Sequence, residues 1–379
     1  MPGLKSLDAL IIAVCFRVAV PLWLGICKFF LWIRLVLIAA ANRKRILVVA
    51  RYGAIGDIIR TFPAVAELVR RNPGYPVVYV VRKHFKVLIE KSGLNVKVVA
   101  TTNHLELPSK PSGIFKKTRY LTYGDEDASL NWPRRRIVDD FGLCLGFSSV
   151  EAKPTLVVDR TVVAALRADC LERIRPTERR ISTLREPIKT GREGSSGLQQ
   201  EDKAQRLLLL HSGPSWLVRE WPQQSWDKLV QRLRTELGCA VLQLVAARNI
   251  TVRDPVCHHI PGAETVTCED DIERLINLVA AVDLLIGIDS GPIHVAGAVG
   301  TPCVALFGPT DPELVLFDPG TTGVFHRVDC SFCHHRHPRL HWQDGCPHGI
   351  KCMRELTVEQ VFAAATTILK RPLNEGRCG

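Results

Sequence analysis

The sequence lacks any run of about eighteen apolar residues free of charge, which would mark a simple transmembrane helix. Its most apolar stretch, residues 9–41, is rich in Leu, Ile, Val, Phe and Trp, but Arg17, Lys28 and Arg34 interrupt it. A cleavable secretory signal fits poorly as well, because its cations would precede the apolar core and small residues would come after it. No Gly-x-Gly-x-x-Gly fingerprint follows the first strand-like run, so a nicotinamide dinucleotide site has little support. The 13 cysteines are not spaced like a small disulfide scaffold. Cys144, Cys239 and Cys303 stand singly in apolar runs, as small core residues do, which points to a reducing compartment. Acidic side chains are in deficit, 38 against 50 Lys and Arg, for a formal charge of +12. That balance favours an acidic partner such as an anionic lipid, a phosphorylated substrate or nucleic acid. No short-period repeat is present.

What is present is 379 residues, 46% hydrophobic and 23% charged, enough for two globular domains with additions. Strand-length apolar runs alternate with helical spacing at residues 46–50, 58–71, 77–81, 85–92 and 96–100, a β-α-β-α-β rhythm that predicts a parallel sheet. Residues 101–136 read as an irregular, charge-rich loop and residues 155–158 as a strand. Residues 175–206, with Gly194-Ser195-Ser196-Gly197, read as an exposed linker. A second rhythm runs through 207–210, 226–237, 240–245, 270–281, 284–288, 292–299 and 303–307. Two similar α/β domains put the default ligand site at the carboxyl ends of their strands.

Ahead of them, Arg17 and Lys28 fall on nearly one helix face, and Trp23 and Trp32 suit a headgroup region. The segment therefore reads as a helix lying on, or partly inserted in, a membrane surface and separable from the catalytic body. A tilted spanning helix and a soluble core helix are the alternatives. The run Arg43-Lys44-Arg45 keeps the catalytic body on the cytoplasmic side.

Three motifs carry chemistry. In Arg51-Tyr52-Gly53-Ala54-Ile55-Gly56-Asp57 the glycines allow a tight turn and close approach to a ligand, and Asp57 stands at a helix start, either as a base or as a plain helix cap. In Asp289-Ser290-Gly291-Pro292-Ile293-His294, Asp289 or Ser290 can cap a helix whose first turn forms an anion site, with His294 one turn in; Gly308-Pro309-Thr310 ends the next strand. In His211-Ser212-Gly213-Pro214 a polar loop can nest phosphate, and Arg219 downstream can fork onto a pyrophosphate.

In their order, RYGAIGDIIRTFPA, HSGPSW with REWPQQSW, and DSGPIHVAGAVGTPCVALFGPTDP, these segments resemble glycosyltransferase family 9, the lipopolysaccharide heptosyltransferases. The resemblance spans about residues 46–365. It implies an α/β protein of GT-B fold, two Rossmann-like parallel-sheet domains facing across a cleft, here with an N-terminal apolar helix. It implies a metal-independent, inverting transferase using a nucleotide sugar, typically ADP-heptose, with an anionic glycolipid acceptor such as a lipopolysaccharide core, at the cytoplasmic face of the inner membrane. No nucleic-acid partner is expected. Asp57 takes the place of the family's general base. Ser212, Gly213, Arg219, Asp289, Ser290, Gly291, His294 and Thr310 form the expected donor set, and Gly53, Gly56, Lys116, Lys117 and Arg119 the expected acceptor set. Arg219 replaces a lysine common in the family, and Ala246-Ala247-Arg248 a glycine pair. The expected division is 1–45 membrane-associating, 46–175 acceptor domain, 176–206 linker, 207–329 donor domain and 330–379 a Cys/His-rich segment with a terminal helix. A sugar-nucleotide epimerase or hydrolase, and a silent membrane-associated assembly protein, are the competing classes.

Finally, Cys330-x2-Cys333, Cys346 and Cys352, with His334, His335 and His337 nearby, suggest a structural zinc site, with plain thiols, a disulfide or an iron–sulfur site as alternatives. No cofactor is expected for catalysis itself.

Overall fold

The structure, a computed structural model, describes residues 20–102, 107, 113–122, 135–183, 205–213, 216–245, 258–335 and 346–370. Arg17, Lys110, Arg134, Pro214, residues 194–197, residues 246–248 and His337 lie outside them. The chain divides into two compact units, Met1–Asp127 with Val138–Ala152, and Ala128–Ile137 with Lys153–Gly379.

In unit 1 the helix α1 (Val20–Asn42) leads into β1 (Ile46–Ala50), α2 (Ile55–Ile59), α3 (Phe62–Arg71), β2 (Val77–Arg82), α4 (Lys86–Glu90), β3 (Lys97–Thr101), β4 (Phe115–Tyr120) and α5 (Ile137–Leu145). The strands form one parallel sheet in the order β3-β2-β1-β4. Every residue of β1 is buried, as expected for a central parallel strand covered on both faces. The chain runs from β1 outward through β2 to β3 and then returns to the other side of β1. The switch point of this sheet is therefore between β1 and β4, where Leu121 N–H donates to Ala50 O at 2.9 Å. Residues 115–120 are thus a paired edge strand, a correction to the reading of 101–136 as loop.

The inner stripe of α1, Leu31, Leu35 and Ala39, is buried in the same core as Ile46, Val48, Val78, Val80 and Phe115. Its spacing of four keeps these three on one helix face. At about 1.5–3 kcal/mol for each large side chain buried, the stripe contributes materially to unit 1. The helix is accordingly part of the folded body on this face, which corrects the expectation that it is separable.

In unit 2, α6 (Arg160–Thr183) precedes β5 (Leu207–His211), α7 (Gln223–Thr235), β6 (Ala240–Val245), β7 (Glu264–Thr267), α8 (Ile272–Ala281), β8 (Leu284–Ile288), α9 (Gly291–Val299), β9 (Cys303–Phe307), α10 (Pro312–Val315), β10 (Thr321–Phe325), α11 (Lys351–Arg354) and α12 (Val358–Leu369). The strands form a parallel sheet in the order β10-β9-β8-β5-β6-β7, so its switch point lies between β5 and β8. Residues 155–158 form no strand; Leu156 N–H instead donates to Ala298 O at 2.9 Å. The helix α6 belongs to this unit. Arg167 donates to Asp283 at 2.7 Å and to Ala281 O at 2.8 Å, and Asp283 also accepts from Leu207 N–H. The division between units therefore falls at Ala152/Lys153 rather than at residue 175, and helix continues to Thr183 where a linker was expected.

Candidate active site

In unit 1 the loop after β1 opens at the switch point and carries Asp57 as the third residue of α2. Its Oδ2 accepts from Ala54 N–H at 3.0 Å, so the backbone-capping role is present. Two guanidiniums reach the same carboxylate: Arg60 Nη2 lies 2.6 Å from Oδ1 and Arg51 Nη2 3.4 Å from Oδ2. Arg51 is itself buried, donates to Leu121 O at 2.9 Å, and lies over the Phe141 ring. Arg60 Nε donates to Gly56 O at 3.2 Å. The carboxylate is thus clamped between an arginine on the strand end and one a helical turn on, with its side chain 18% exposed. Gly53 is required here by close approach: a Cβ at this position would fall 2.4 Å from Asp57 Oδ2. Gly56 is buried in the first turn of α2.

The three cations expected at the acceptor side are spread along β4. Register pairs Lys117 with Leu47 and Arg119 with Val49, so the lysines sit toward the amino end of the sheet and Arg119 toward the Asp57 end. Lys116 Nζ donates to Asn72 Oδ1 at 3.0 Å and lies 3.7 Å from the centre of the Tyr75 ring. Lys117 donates to Leu145 O at 2.7 Å, and burial pushes its ammonium below the usual lysine range. Lys116 is exposed and Lys117 half-buried toward the amino end of β4, whereas Arg119 is exposed at its other end, near the switch point, where its Nη1 donates to Thr118 O at 2.9 Å.

In unit 2 the loops after β5, β8 and β9 converge. Asp289, 4% exposed, accepts from Thr310 Oγ1 at 2.6 Å. Arg219 donates to Asp289 O at 3.0 Å, approaches its carboxylate at 3.5 Å, and stacks on Trp216. So Arg219, Asp289 and Thr310 form one polar contact that spans the switch point. Of the two candidate caps of α9, Ser290 stands in the capping position without capping it: its Oγ donates to Ile288 O at 3.1 Å and makes no cap hydrogen bond. Backbone donors at the turn beginning with Gly291 suit a phosphate. His294 is buried and stacked on Phe317, with ring centres 5.8 Å apart. Gly213 has φ +126, a backbone region that favours glycine. Ser212 Oγ accepts from Gln243 Nε2 at 3.3 Å. A cavity of about 350 Å³ adjoins this loop, lined by Ser212, Gly213, Trp226, His258 and Arg354 among others.

Residues to which the motifs give no role of their own complete both sites. Gln243, fully buried in an otherwise apolar strand, ties Ser212 to His258 O at 2.8 Å and accepts from Ile260 N–H at 2.9 Å. A lone polar residue in AVLQLV was its signal. Arg60 was signalled by its i+3 spacing from Asp57. His211 is buried at the end of β5, and burial pushes its imidazole down to about 4.

Cys330, Cys333, Cys346 and Cys352 gather around one small cavity of about 10 Å³, whose other walls include Val218 and Pro309. Burial and the three neighbouring thiols push Cys352 up to about 11. Among the described residues no group of three or more His, Cys, Asp or Glu side chains is placed to hold a metal ion.

The profile of glycosyltransferase family 9 (heptosyltransferase) matches residues 181–337, which include the unit 2 site and not the Asp57 loop. The chain is similar to lipopolysaccharide heptosyltransferase 1 of Pseudomonas aeruginosa, 23% identical over 315 residues, covering 75% of this chain and 82% of the relative. It is also similar to lipooligosaccharide heptosyltransferase 2 of Haemophilus influenzae, 29% identical over 101 residues, covering 25% of this chain and 29% of that one. Among solved structures, a family 9 glycosyl transferase from Veillonella parvula superposes with a TM-score of 0.59 at 16% identity, covering 86% of this chain and 97% of that one. The iron-containing dodecameric glycosyltransferase TibC of enterotoxigenic E. coli superposes with a TM-score of 0.58 at 18% identity, covering 86% and 76%. At these identities the likeness establishes the fold, two parallel-sheet units of the GT-B type.

Proposed function

We propose that this chain, which belongs to glycosyltransferase family 9, transfers heptose from ADP-heptose to a lipopolysaccharide-core acceptor. The observation that carries the reading is the three-way contact of Arg219, Asp289 and Thr310 across the unit 2 switch point, beside the start of α9. A nucleoside diphosphate placed there has a helix start and a guanidinium to offset the charge that builds on the leaving group. Arg219 is pre-positioned by Asp289 and Trp216, so it need not be ordered when the donor binds.

Asp57 is the general base of this proposal. It takes the proton of the acceptor hydroxyl as that oxygen attacks the anomeric carbon and the C–O bond to the diphosphate breaks, with inversion in one displacement. Arg51 and Arg60 act as positioning residues that fix the carboxylate. Arg119 is the cation best placed to meet an anionic acceptor. Cys330, Cys333, Cys346 and Cys352 line one cavity without forming a ligand set, so holding a soft divalent ion there, as a structural ion with no part in the reaction, would require the thiols to draw together. One equivalent of zinc or iron per chain, lost in the Cys330→Ser/Cys333→Ser variant, supports that reading; metal-free wild type refutes it.

The functional test is ADP release from ADP-heptose with and without a heptose-lacking core acceptor, alongside other nucleotide sugars. Acceptor-dependent release selective for ADP-heptose is expected. Release that ignores the acceptor would identify a hydrolase or epimerase instead.

A further inference from the structure

The helix α1 has two apolar faces, and only one is used by the fold. Leu31, Leu35 and Ala39 turn into the unit 1 core. At about 100° per residue, Trp23, Ile26, Phe30, Ile33 and Leu37 share the opposite face. Trp23, Phe29, Phe30 and Leu37 are each more than half exposed, with Ile26 at 40%. No charged residue lies on this outer arc. Arg34 borders it, and its Nη1 anchors the helix to the body through Ala100 O at 3.2 Å, whereas Lys28 is exposed on the side of the inner stripe, a turn ahead of Leu31. At the carboxyl end, exposed Arg43, Lys44 and Arg45 come directly after the helix. Single exposed apolar residues are ordinary on a protein surface, but a contiguous aromatic-rich face bordered by cations is not.

We propose that this face docks α1 in the plane of an anionic lipid surface, with the inner stripe remaining packed on unit 1. By length and composition α1 is apolar enough to cross a bilayer. Crossing would, however, strip Leu31, Leu35 and Ala39 from the core and surround Arg34 with hydrocarbon. Lying flat keeps both: the outer side chains enter the acyl boundary while the flanking cations meet lipid phosphates. Lipid is the occupant because the face combines aromatics, aliphatics and a basic border, and each basic residue near an anionic leaflet adds attraction that salt weakens.

The test uses the full chain, without donor or acceptor, so its result is independent of transfer activity. Flotation with phosphatidylglycerol-containing vesicles should recover the protein, and pure phosphatidylcholine vesicles should recover much less. The variant Trp23→Ser/Phe30→Ser/Leu37→Ser should lose about 100-fold or more in vesicle affinity while its melting temperature stays near wild type. Leu35→Ala should do the reverse, lowering the melting temperature and sparing vesicle binding. A tag at Met1 should remain open to protease added outside sealed vesicles. Absence of binding, equal binding to neutral vesicles, unchanged binding of the triple variant, or a protected tag would each overturn the proposal.

Discussion

At the scale of single residues, the Asp57 loop is held by near contacts that tolerate little change. Gly53→Ala places a methyl group where the Asp57 carboxylate now lies. We expect kcat to fall about 10-fold or more with donor affinity unchanged, since a displacement of about 1 Å at a reacting group is enough. Steady-state kinetics with donor titration checks this. His211 gives a pH prediction. Burial lowers it from 6.5 to about 4, so the folded chain keeps it neutral while the unfolded chain protonates below about 6.5. Its contribution is therefore fully present above pH 6.5 and is lost as pH falls toward 4, by up to about 3 kcal/mol. Thermal melts of His211→Leu across that window should show a shallower acid limb than wild type. The sequence pointed to Asp57, Asp289 and Arg219 through their place after strands. It did not show that Arg219 would be pinned on Asp289, or that Arg51 and Arg60 would clamp Asp57. The Arg219 pairing comes from the fold bringing together residues 70 apart in the chain; Arg51 and Arg60 are local neighbours of Asp57, and the turn into α2 is what aims both at its carboxylate.

At the scale of elements, what was legible depended on position in the sheet. Strands β1, β2, β5, β6, β8 and β9 are buried on both faces and read as apolar runs, broken only by Gln243 inside β6 and by Arg82 and His211 at strand ends. The missed strands β4, β7 and β10 are all edges, and FKKTRY, ETVT and TTGVF carry the polar residues that an edge permits. Read as a loop, the segment also gives no way to tell Lys116 and Lys117 from Arg119, which β4 sets toward opposite ends of the sheet. The strand now supplies an internal control: Arg119→Gln should raise the acceptor KM severalfold at low ionic strength, less at high salt, whereas Lys116→Gln should leave it unchanged. Equal effects of the two substitutions would show that acceptor contact is not set by position along β4. The apolar character of helix α1 is plain in the sequence, yet its periodicity does not say that one face belongs to the core. Truncating residues 1–41 should therefore destabilise unit 1 by several kcal/mol in urea melts, in keeping with the loss of two buried leucines.

At the scale of the whole molecule, the two units repeat one device. Each is a parallel sheet whose strand order reverses beside its first strand, at β1/β4 in one unit and β5/β8 in the other, and each opens its glycine-bearing polar loop there. That repetition is visible as two β-α rhythms in the sequence, and the proposed function divides the work between them, with the base in unit 1 and the donor in unit 2. The most direct measurement compares wild type with Asp57→Asn in acceptor-dependent ADP release and, separately, in ADP binding by calorimetry. The division of labour predicts a fall in kcat of about 100-fold or more with the ADP Kd unchanged. Near-wild-type turnover, or a Kd that weakens in step with kcat, would contradict it.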